Sequence, residues 1–232
     1  MDSYLQTRSR VETYFDRTAA HTWARLTSDA PVSRIRATVR AGRERMRGLL
    51  LSWLPDDLSG LRLLDAGCGT GALAVEAARR GARVTAIDLS PTLVALARER
   101  LPAIAGGGSV DFRSGDMLDA ASGSFDFVVA MDSLIHYEPA DAVRTVAALA
   151  QRTRLALLFT FAPSSPALAA MHRIGKLFPR GNRSPAIVPV AEAGLRRRLG
   201  AHTALHGWAV ARSDRVASGF YTSQAMQLAR TD

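Results

Sequence analysis

Hydrophobic and polar positions predict a repeated strand–helix order over the middle of the chain. An apolar run at 61–65 (LRLLD) ends in a carboxylate and is followed by a glycine-rich segment and a helix that reaches about Arg80. Residues 82–88 (ARVTAID) repeat this pattern, and Pro91 suits the first turn of the next helix. Further strands are predicted at 109–116, 124–132 and 154–163, with a helix at about 139–151. Strands that alternate with helices of this length predict a mostly parallel, doubly wound α/β sheet.

The flanking segments predict helices and a long insertion around this core. Between 33 and 54 apolar residues recur at helical spacing, and Pro55 ends the run. The stretch after Pro163 is rich in proline, glycine and arginine and is too long for a simple connection, which indicates a helical lid. A helix near 190–199 and strands at about 203–211 and 217–228 complete the sheet. We therefore divide the chain into an N-terminal helical arm and cap (1–60), an α/β core (61–163), a lid insertion (164–189) and a C-terminal helix with strands (190–232).

Charge is unevenly distributed along the chain, whose formal net charge is +9. Residues 61–150 carry eight arginines and eleven acids, whereas residues 151–232 carry twelve basic residues and three acids. Residues 34–48 (RIRATVRAGRERMRG) hold six arginines, in a chain with one lysine. Such a run fits a nucleic-acid arm, a membrane-surface helix, a clamp for an acidic small molecule or a solvated basic face.

Three further features bear on the compartment. No run of about 18 apolar residues occurs, so a membrane-spanning helix is not expected. The N-terminal segment has no apolar signal region. Cys68 is the single cysteine and cannot form an internal disulfide. We expect a cytoplasmic protein.

The segment "LLDAGCGTGALAVEAA" is the strongest candidate for a ligand site. A strand that ends at Asp65 leads into Gly67, Gly69 and Gly71, which let the backbone approach a ligand closely because they have no Cβ. The spacing also fits the fingerprint of nicotinamide dinucleotide enzymes, so the loop alone is ambiguous. Asp88 ends the second strand and Asp116 follows the third, which would place three carboxylates around one ligand at the switch point of the sheet.

This set of residues resembles the class I S-adenosylmethionine-dependent methyltransferases. That resemblance implies a Rossmann-like sheet whose last strand is antiparallel. It also implies that Asp65 and the glycine loop hold the methionyl part of the cofactor and that Asp88 binds the ribose hydroxyls. Asp116 would then lie near the adenine amino group. Met117 would lie against the adenine ring, and we expect Leu89 and Met131 to contact the cofactor as well.

The stretch after the fourth strand, "MDSLIHYEP", indicates the acceptor. It lacks the Asn/Asp-Pro-Pro-aromatic motif with which amino-directed base methyltransferases stack a flipped base, and aromatic residues make up 6% of the chain. Nucleic acid is therefore not the expected partner. His136 and Tyr137 lie where acceptor substrates of this fold sit, although capping or packing would also explain them. The remaining histidines are dispersed, and no protein-bound metal is expected.

Longer segments narrow the resemblance. The stretches "VETYFDRTAAHTWARLTSD", "RIRATVRAGR", "DAGCGTGALA", "DSLIHYEP", "FTFAP", "IGKLFPRGNRSP" and "FYTSQAMQLAR" resemble the magnesium protoporphyrin IX O-methyltransferases of chlorophyll and bacteriochlorophyll synthesis. The resemblance implies methyl transfer from S-adenosylmethionine to one propionate of Mg-protoporphyrin IX, which gives the monomethyl ester and S-adenosylhomocysteine. Where cyanobacterial and plant members have a tyrosine in the N-terminal arm, this chain has Thr27. The alternatives are another small-molecule methyltransferase and a non-catalytic binding module.

The implied reaction assigns roles to residues and partners. A propionate is ionised at neutral pH but is a weak nucleophile, so positioning and desolvation would supply the catalysis. His136 would orient the propionate with support from Tyr137 or Thr27. One or two of Arg36, Arg40 and Arg43 would pair with the porphyrin carboxylates. The magnesium belongs to the substrate, and we expect a monomer that receives its substrate from the porphyrin subunit of magnesium chelatase or at a membrane surface.

Overall fold

A seven-stranded sheet with the order β3-β2-β1-β4-β5-β7-β6 organises the chain. The computed structural model describes residues 2–19, 33–119, 123–164 and 186–231. The strands are β1 (Arg62–Ala66), β2 (Arg83–Asp88), β3 (Ser109–Ser114), β4 (Phe125–Ala130), β5 (Thr153–Phe161), β6 (Trp208–Ser218) and β7 (Tyr221–Arg230). The helices are α1 (Asp2–Thr13), which continues as a π-helical turn (Tyr14–Ala19), then α2 (Arg34–Ser52), α3 (Ala72–Arg79), α4 (Pro91–Glu99), α5 (Pro139–Ala150) and α6 (Glu192–Gly200).

Strand direction agrees with the class I methyltransferase arrangement that the sequence predicts. Strands β1 to β5 pair in parallel. Strand β7 lies between β5 and β6 and is antiparallel to both. The last residue of β5, Phe161, pairs with Gln224. Strand β7 therefore starts three residues beyond the end of β5, so the β6–β7 hairpin projects past the edge of the sheet at which the parallel strands end.

Hydrophobic side chains cover both faces of the sheet, as a doubly wound fold requires. On one face, α2, α3 and α4 bury residues such as Met46, Leu50 and Val94. On the other face, α5 and α6 pack residues such as Val146 and Leu195 against the strands. Tyr4 of α1 packs against this second cluster, which fixes the arm to the same side of the sheet as α5.

Short polar signals begin two of the helices. The Ser33 hydroxyl accepts the backbone N–H of Arg36 at the start of α2. The Ser90 hydroxyl accepts the backbone N–H of Leu93, and Pro91 occupies the first turn of α4. Serine satisfies one of the unpaired N–H groups at a helix start, and proline there loses no hydrogen bond. Ser90 therefore starts α4 two residues after Asp88, the strand end that carries a ligand-site candidate.

The C-terminal strands differ from the prediction in their bounds. The first part of the predicted strand at 203–211 is wrong, because residues Thr203–Leu205 form a 3₁₀ turn and β6 starts at Trp208. The hairpin turn lies at Gly219, whose φ of 56° is favourable for glycine. Residues 217 and 218 therefore belong to β6 and not to the final strand. Most of the predicted lid, at 165–185, lies outside the described residues.

In the described ranges, no helix is both long enough and apolar enough to cross a membrane.

The packing of α2 on β7 allows a matched test of stability. A Cβ at Gly42 would lie 2.5 Å from the Tyr221 ring, whereas a Cβ at Gly48 meets nothing within 4 Å. We expect Gly42→Ala to lower the free energy of unfolding by about 1–3 kcal/mol through overpacking. Gly48→Ala is expected to raise it by roughly 0.5–1 kcal/mol, because alanine favours the helix. Urea denaturation measures both, and a stable Gly42→Ala protein would contradict the close α2–β7 contact.

Candidate active site

A pocket lies at the carboxyl edge of the sheet, where the strand order reverses between β1 and β4. It encloses about 660 Å³ of empty space when the open mouth is included. Its walls come from α1 and the turn after it, from α2, and from the segments that follow β1 to β4. The lining residues are Val11, Phe15, Arg43, Gly67, Gly69, Ile87, Asp88, Leu89, Leu93, Gly115, Met117, Met131, Asp132, Ser133, His136 and Tyr137.

The glycine loop and Asp88 form one hydrogen-bonded wall of this pocket. The carboxylate of Asp88 accepts the backbone N–H of Gly69 at 2.8 Å and that of Ser90 at 2.9 Å. Gly67 has a φ of 88°, and a Cβ there would collide with the side chain of Ser133. Glycine at this position therefore lets the loop after β1 approach the loop after β4, which narrows the pocket between them.

Gly71 has a packing role and does not line the pocket. It precedes α3 with a φ of 81°, and a Cβ there would lie 2.5 Å from the Phe112 ring. The sequence grouped Gly71 with Gly67 and Gly69 as cofactor contacts. The geometry separates them, because the third glycine brings α3 close to β3.

Asp65 lies under the loop and has an unusual environment. Its side chain is 2% exposed, and its Oδ2 has no hydrogen-bond partner. Burial and the nearby Asp88 carboxylate raise the pKa of Asp65 from 3.8 to about 7, although Arg43 opposes the rise. Burial also raises the pKa of Asp88 above its ordinary range. A buried carboxylate oxygen without a donor fits a cationic ligand group such as the ammonium of an amino acid.

The carboxylate of Asp116 is engaged by the N-terminal arm. It accepts the Tyr4 hydroxyl at 2.8 Å and the Leu118 backbone N–H at 2.9 Å on Oδ1, and Arg8 at 3.1 Å on Oδ2. Asp116 does not itself line the pocket, whereas the adjacent Met117 does. The arm therefore closes over the position that the resemblance assigns to adenine. Sequence reasoning missed Tyr4 and Arg8, which lie more than a hundred residues away along the chain.

His136 and Tyr137 both line the pocket, in different settings. Nδ1 of His136 lies 3.3 Å from the carbonyl oxygen of Ala186, and its ring lies near Phe15. Tyr137 is 1% exposed and stacks on Tyr4 at 5.2 Å between ring centroids. Burial raises the pKa of Tyr137 to about 12, so the phenol is neutral at physiological pH.

Of the three candidate arginines, Arg43 alone reaches the pocket wall. Arg36 is exposed on the first turn of α2, and Arg40 is half-buried between them. The guanidinium of Arg43 donates to Asp132 at 2.6 Å. Asp132 is a pocket residue that sequence reasoning missed, although its signal was present: like Asp65 and Asp88, it is a carboxylate at the carboxyl end of a parallel strand.

Thr27 lies outside the described residues. In the parts of the chain that the structure describes, no group of three or more His, Cys, Asp or Glu side chains could hold a metal ion.

The pocket residues do fit S-adenosylmethionine. Asp65, which does not line the pocket, has a buried carboxylate oxygen without a protein donor, Asp88 lines the pocket beside the glycine loop, and Met117 and Leu93 add apolar side chains to its wall.

Comparison with known proteins agrees with this geometry. A family model described as "Magnesium-protoporphyrin IX methyltransferase C-terminus" matches residues 130–230, and a "Methyltransferase domain" model matches residues 63–154. The chain is 51% identical to the magnesium-protoporphyrin O-methyltransferase of Rhodobacter capsulatus over 97% of each chain. It is 30% identical to the Synechocystis enzyme of the same name over 98% of each chain. The crystal structure of magnesium protoporphyrin IX methyltransferase from Synechocystis with bound S-adenosylhomocysteine superposes with a TM-score of 0.82, at 30% identity, covering 96% of this chain and 99% of that one.

Sheet order, strand-end carboxylates and the pocket at the switch point define a class I S-adenosylmethionine-dependent methyltransferase. The similarity to the Rhodobacter enzyme extends over nearly the full length of both chains, well beyond the shared core. The chain belongs to the magnesium-protoporphyrin O-methyltransferase family.

Proposed function

We propose that this chain transfers the methyl group of S-adenosylmethionine to a propionate carboxylate of Mg-protoporphyrin IX. The products are Mg-protoporphyrin IX monomethyl ester and S-adenosylhomocysteine. The 51% identity to the Rhodobacter enzyme over 97% of both chains is the observation that carries this assignment. The alternative, another small-molecule methyltransferase, would share the core but not the arm and C-terminal segments that this similarity includes.

The cofactor supplies a methyl group on a positively charged sulfur, which a carboxylate oxygen can attack. The part of this chain is to hold both partners in line. Asp65 accepts the ammonium, Asp88 accepts the ribose hydroxyls, and the Gly67 and Gly69 backbone lies against the methionyl part. Met117, Leu89 and Met131 enclose the apolar surface. These roles are supported by the position of the residues in the pocket wall, except for Asp65, which is buried two residues before Gly67.

The acceptor carboxylate needs orientation more than a base, since a propionic acid with a pKa like that of glutamic acid, about 4.3, is ionised at neutral pH. His136 would orient it by a hydrogen bond. The carbonyl of Ala186 can only accept, so Nδ1 of His136 carries a proton in that contact, and Nε2 is the nitrogen that would serve the substrate. Holding the nucleophile within reach of the methyl group, away from water, can supply several kcal/mol of the barrier reduction.

The proposal also covers the flanking segments and the remaining candidate residues. The arm (1–60) and the lid (164–189) would close over the flat macrocycle on either side of the core (61–163), with 190–232 completing the sheet. Contacts of Val11 and Phe15 with the pocket support this for the arm. Tyr137 would act by packing against Tyr4. Thr27, Arg36 and Arg40 stay predictions for contacts with the propionate groups.

The partners of the enzyme follow from the chemistry of its substrate. Mg-protoporphyrin IX is flat, apolar and poorly soluble in water. Transfer from the porphyrin subunit of magnesium chelatase, or peripheral attachment of a cytoplasmic monomer to a membrane, would avoid release of the pigment into water. Both stay predictions. The magnesium belongs to the pigment.

The reaction itself is tested by mass. Purified protein incubated with S-adenosylmethionine and Mg-protoporphyrin IX is expected to increase the mass of the pigment by one methylene, with one S-adenosylhomocysteine formed per ester. Mg-protoporphyrin IX monomethyl ester, offered as the acceptor in parallel, tests whether one propionate is selected. A pigment of unchanged mass, or methylation of unrelated phenols in its place, would refute the assignment.

Cofactor binding is expected to depend on pH through Asp65. Its pKa of about 7 in the ligand-free protein means that the carboxyl is largely protonated at pH 6, whereas an ammonium ligand favours the ionised form. Affinity for S-adenosylhomocysteine should therefore rise between about pH 5.5 and 7.5, by up to tenfold per unit, with proton release on binding. Asp65→Asn should bind more weakly and with a flatter profile.

Calorimetry in two buffers of different ionisation enthalpy measures the released proton. The raised pKa of Asp65 also makes the free energy of unfolding depend on pH. The direction is opposite to that for an acid whose pKa is lowered on folding. The folded-state pKa of Asp65 lies above the unfolded value of 3.8, so its contribution to stability is lost as pH rises from about 4 to about 7. Equal proton release by the wild type and Asp65→Asn would show that another group is responsible.

A further inference from the structure

The corner that follows β4 is held in an uncommon backbone conformation. Asp132 has a φ of 54°, the only positive φ of a non-glycine residue among the described residues. Left-handed backbone at a non-glycine residue costs free energy and persists where the surroundings hold it. Here the Asp132 N–H donates to the Thr160 hydroxyl on β5 at 2.7 Å, and that hydroxyl donates back to the carboxylate at 3.0 Å.

Besides Thr160 of β5, residues of α2 and β7 donate hydrogen bonds to the carboxylate of Asp132. Arg43 of α2 donates to Oδ2 at 2.6 Å, and the Tyr221 hydroxyl of β7 lies 3.1 Å from both oxygens. The Ser223 hydroxyl donates to Oδ1 at 3.2 Å. These donors occupy both oxygens of the carboxylate and leave no free position on it that faces a ligand. Asp132 must therefore act through one of the groups that it holds.

Arg43 is the partner that reaches the ligand space. It lines the pocket with Gly67, Gly69 and Asp88, and its charge also acts on Asp65. The side chains of Arg43 and Asp132 are 22% and 6% exposed. A pair this buried contributes little to stability on its own because both charges lose their hydration. The pair instead orients the guanidinium of Arg43. A guanidinium has five N–H donors in a rigid fork and can bind two carboxylates at once.

We propose that Asp132 is a positioning residue, which holds the guanidinium of Arg43 in the pocket wall as the receptor for a ligand carboxylate. The inference rests on the proposed function for the identity of the ligands. Two ligands carry such a group: the amino-acid end of the cofactor and a propionate of the porphyrin. The network on Asp132 comes from α2, β5 and β7, so it fixes the arginine relative to the strand ends that hold the cofactor.

The sign of one substitution separates positioning from simple electrostatics. Asp132→Asn removes a negative charge from the pocket wall, so electrostatics alone predicts tighter binding of anionic ligands. Positioning predicts weaker binding, by roughly 10- to 100-fold for a lost charge-assisted hydrogen bond. Asparagine adopts left-handed backbone readily, so the corner itself is expected to survive. Tyr221→Phe keeps all charges, removes two contacts to Asp132 and should weaken binding by about two- to fivefold.

Ligands without the carboxylate provide the decisive readout. Dissociation constants are measured by calorimetry for S-adenosylhomocysteine and for its decarboxylated analogue, which keeps the ammonium, and by absorption for Mg-protoporphyrin IX and its dimethyl ester. Each variant is expected to weaken the binding of a carboxylate-bearing ligand. The dissociation constant of the carboxylate-free counterpart should stay within twofold of its wild-type value. The pair that responds identifies which carboxylate Arg43 receives. Asp126→Asn is the matched control, because it removes the same charge at the opposite end of β4 and should leave every constant unchanged.

Three outcomes would overturn the proposal. Unchanged or tighter binding of both carboxylate-bearing ligands would show an electrostatic role only. Equal weakening of ligands with and without the carboxylate would show a structural role only. An effect of Asp126→Asn as large as that of Asp132→Asn would show sensitivity to net charge. Because the S-adenosylhomocysteine measurements need no turnover, they remain decisive even if the pigment is not the acceptor.

Discussion

Asp88→Ala is expected to eliminate turnover by removing cofactor affinity. The carboxylate would accept hydrogen bonds from two ribose hydroxyls, and each bond to a charged acceptor contributes about 1.5–3 kcal/mol. Its loss predicts binding of S-adenosylhomocysteine that is roughly 10²- to 10⁴-fold weaker. The same oxygens accept the N–H groups of Gly69 and Ser90, so the alanine variant also releases the glycine loop from β2.

Asp88→Asn separates loss of affinity from loss of folding. Burial raises the pKa of Asp88, so the folded chain disfavours the ionised carboxylate relative to the unfolded chain. Asp88→Asn relieves that cost, and its ligand-free melting temperature is expected to stay near or above that of the wild type. Asp111→Ala is the control, since Asp111 is an exposed acid on the neighbouring strand β3. If Asp88→Ala bound S-adenosylhomocysteine within tenfold of the wild-type affinity, the assignment of Asp88 to the ribose hydroxyls would be refuted.

His136→Ala is expected to reduce kcat by about 10²- to 10³-fold, in the range found when a group that positions or protonates a reactant is removed. Affinity for S-adenosylhomocysteine should change little, because the proposed role of the histidine is with the acceptor and not with the cofactor. Steady-state kinetics with both substrates varied, together with calorimetry, measures the two effects separately. His136→Gln, which retains a hydrogen-bonding amide, should recover part of the loss.

His206→Ala controls for the removal of an imidazole. That residue is exposed and precedes β6 at the edge of the sheet that is remote from the pocket. The kcat of His206→Ala is expected to match that of the wild type. If His136→Ala turned over normally while Asp88→Ala did not, the proposed orientation of the propionate by this histidine would be wrong.

The core strands and the glycine loop could be predicted because each depends on neighbouring residues. Apolar runs with carboxylate ends predict buried parallel strands, and every predicted strand from β1 to β5 is confirmed within a few residues. The hairpin was harder. Ala204 and Leu205 precede the apolar start of β6, so periodicity alone could not place that start, which Gly207 and the 3₁₀ turn before it determine.

Contacts between distant segments could not be predicted from local pattern. The arginine stripe on α2 was visible in the sequence, but which arginine meets the pocket depends on how α2 crosses β7. Close packing of Gly42 on Tyr221 sets that crossing and brings Arg43, one residue later, to the wall. In the same way, the bond from Tyr4 to Asp116 depends on where α1 docks, and nothing near Tyr4 in the chain encodes it.

The sequence also carries a signal for Asp132. The strand-end rule that selected Asp65, Asp88 and Asp116 applies equally to an aspartate after β4. Its importance becomes apparent from partners on α2, β5 and β7, which sequence spacing does not bring together.

The docking of α1 also determines how the protein can be immobilised. Tyr4 lies two residues after the start of α1 and bonds directly at the pocket edge, so a linker joined there would pull on the Asp116 contact. The end of β7 lies at the opposite edge, where Arg230 covers the Trp208 ring at 4.7 Å. A surface-coupled sensor or a force probe anchored beyond Arg230 would leave the pocket facing the solution. A probe anchored near Tyr4 would instead report the force that separates α1 from the pocket edge. Comparison of the two attachments would measure how strongly α1 is held there.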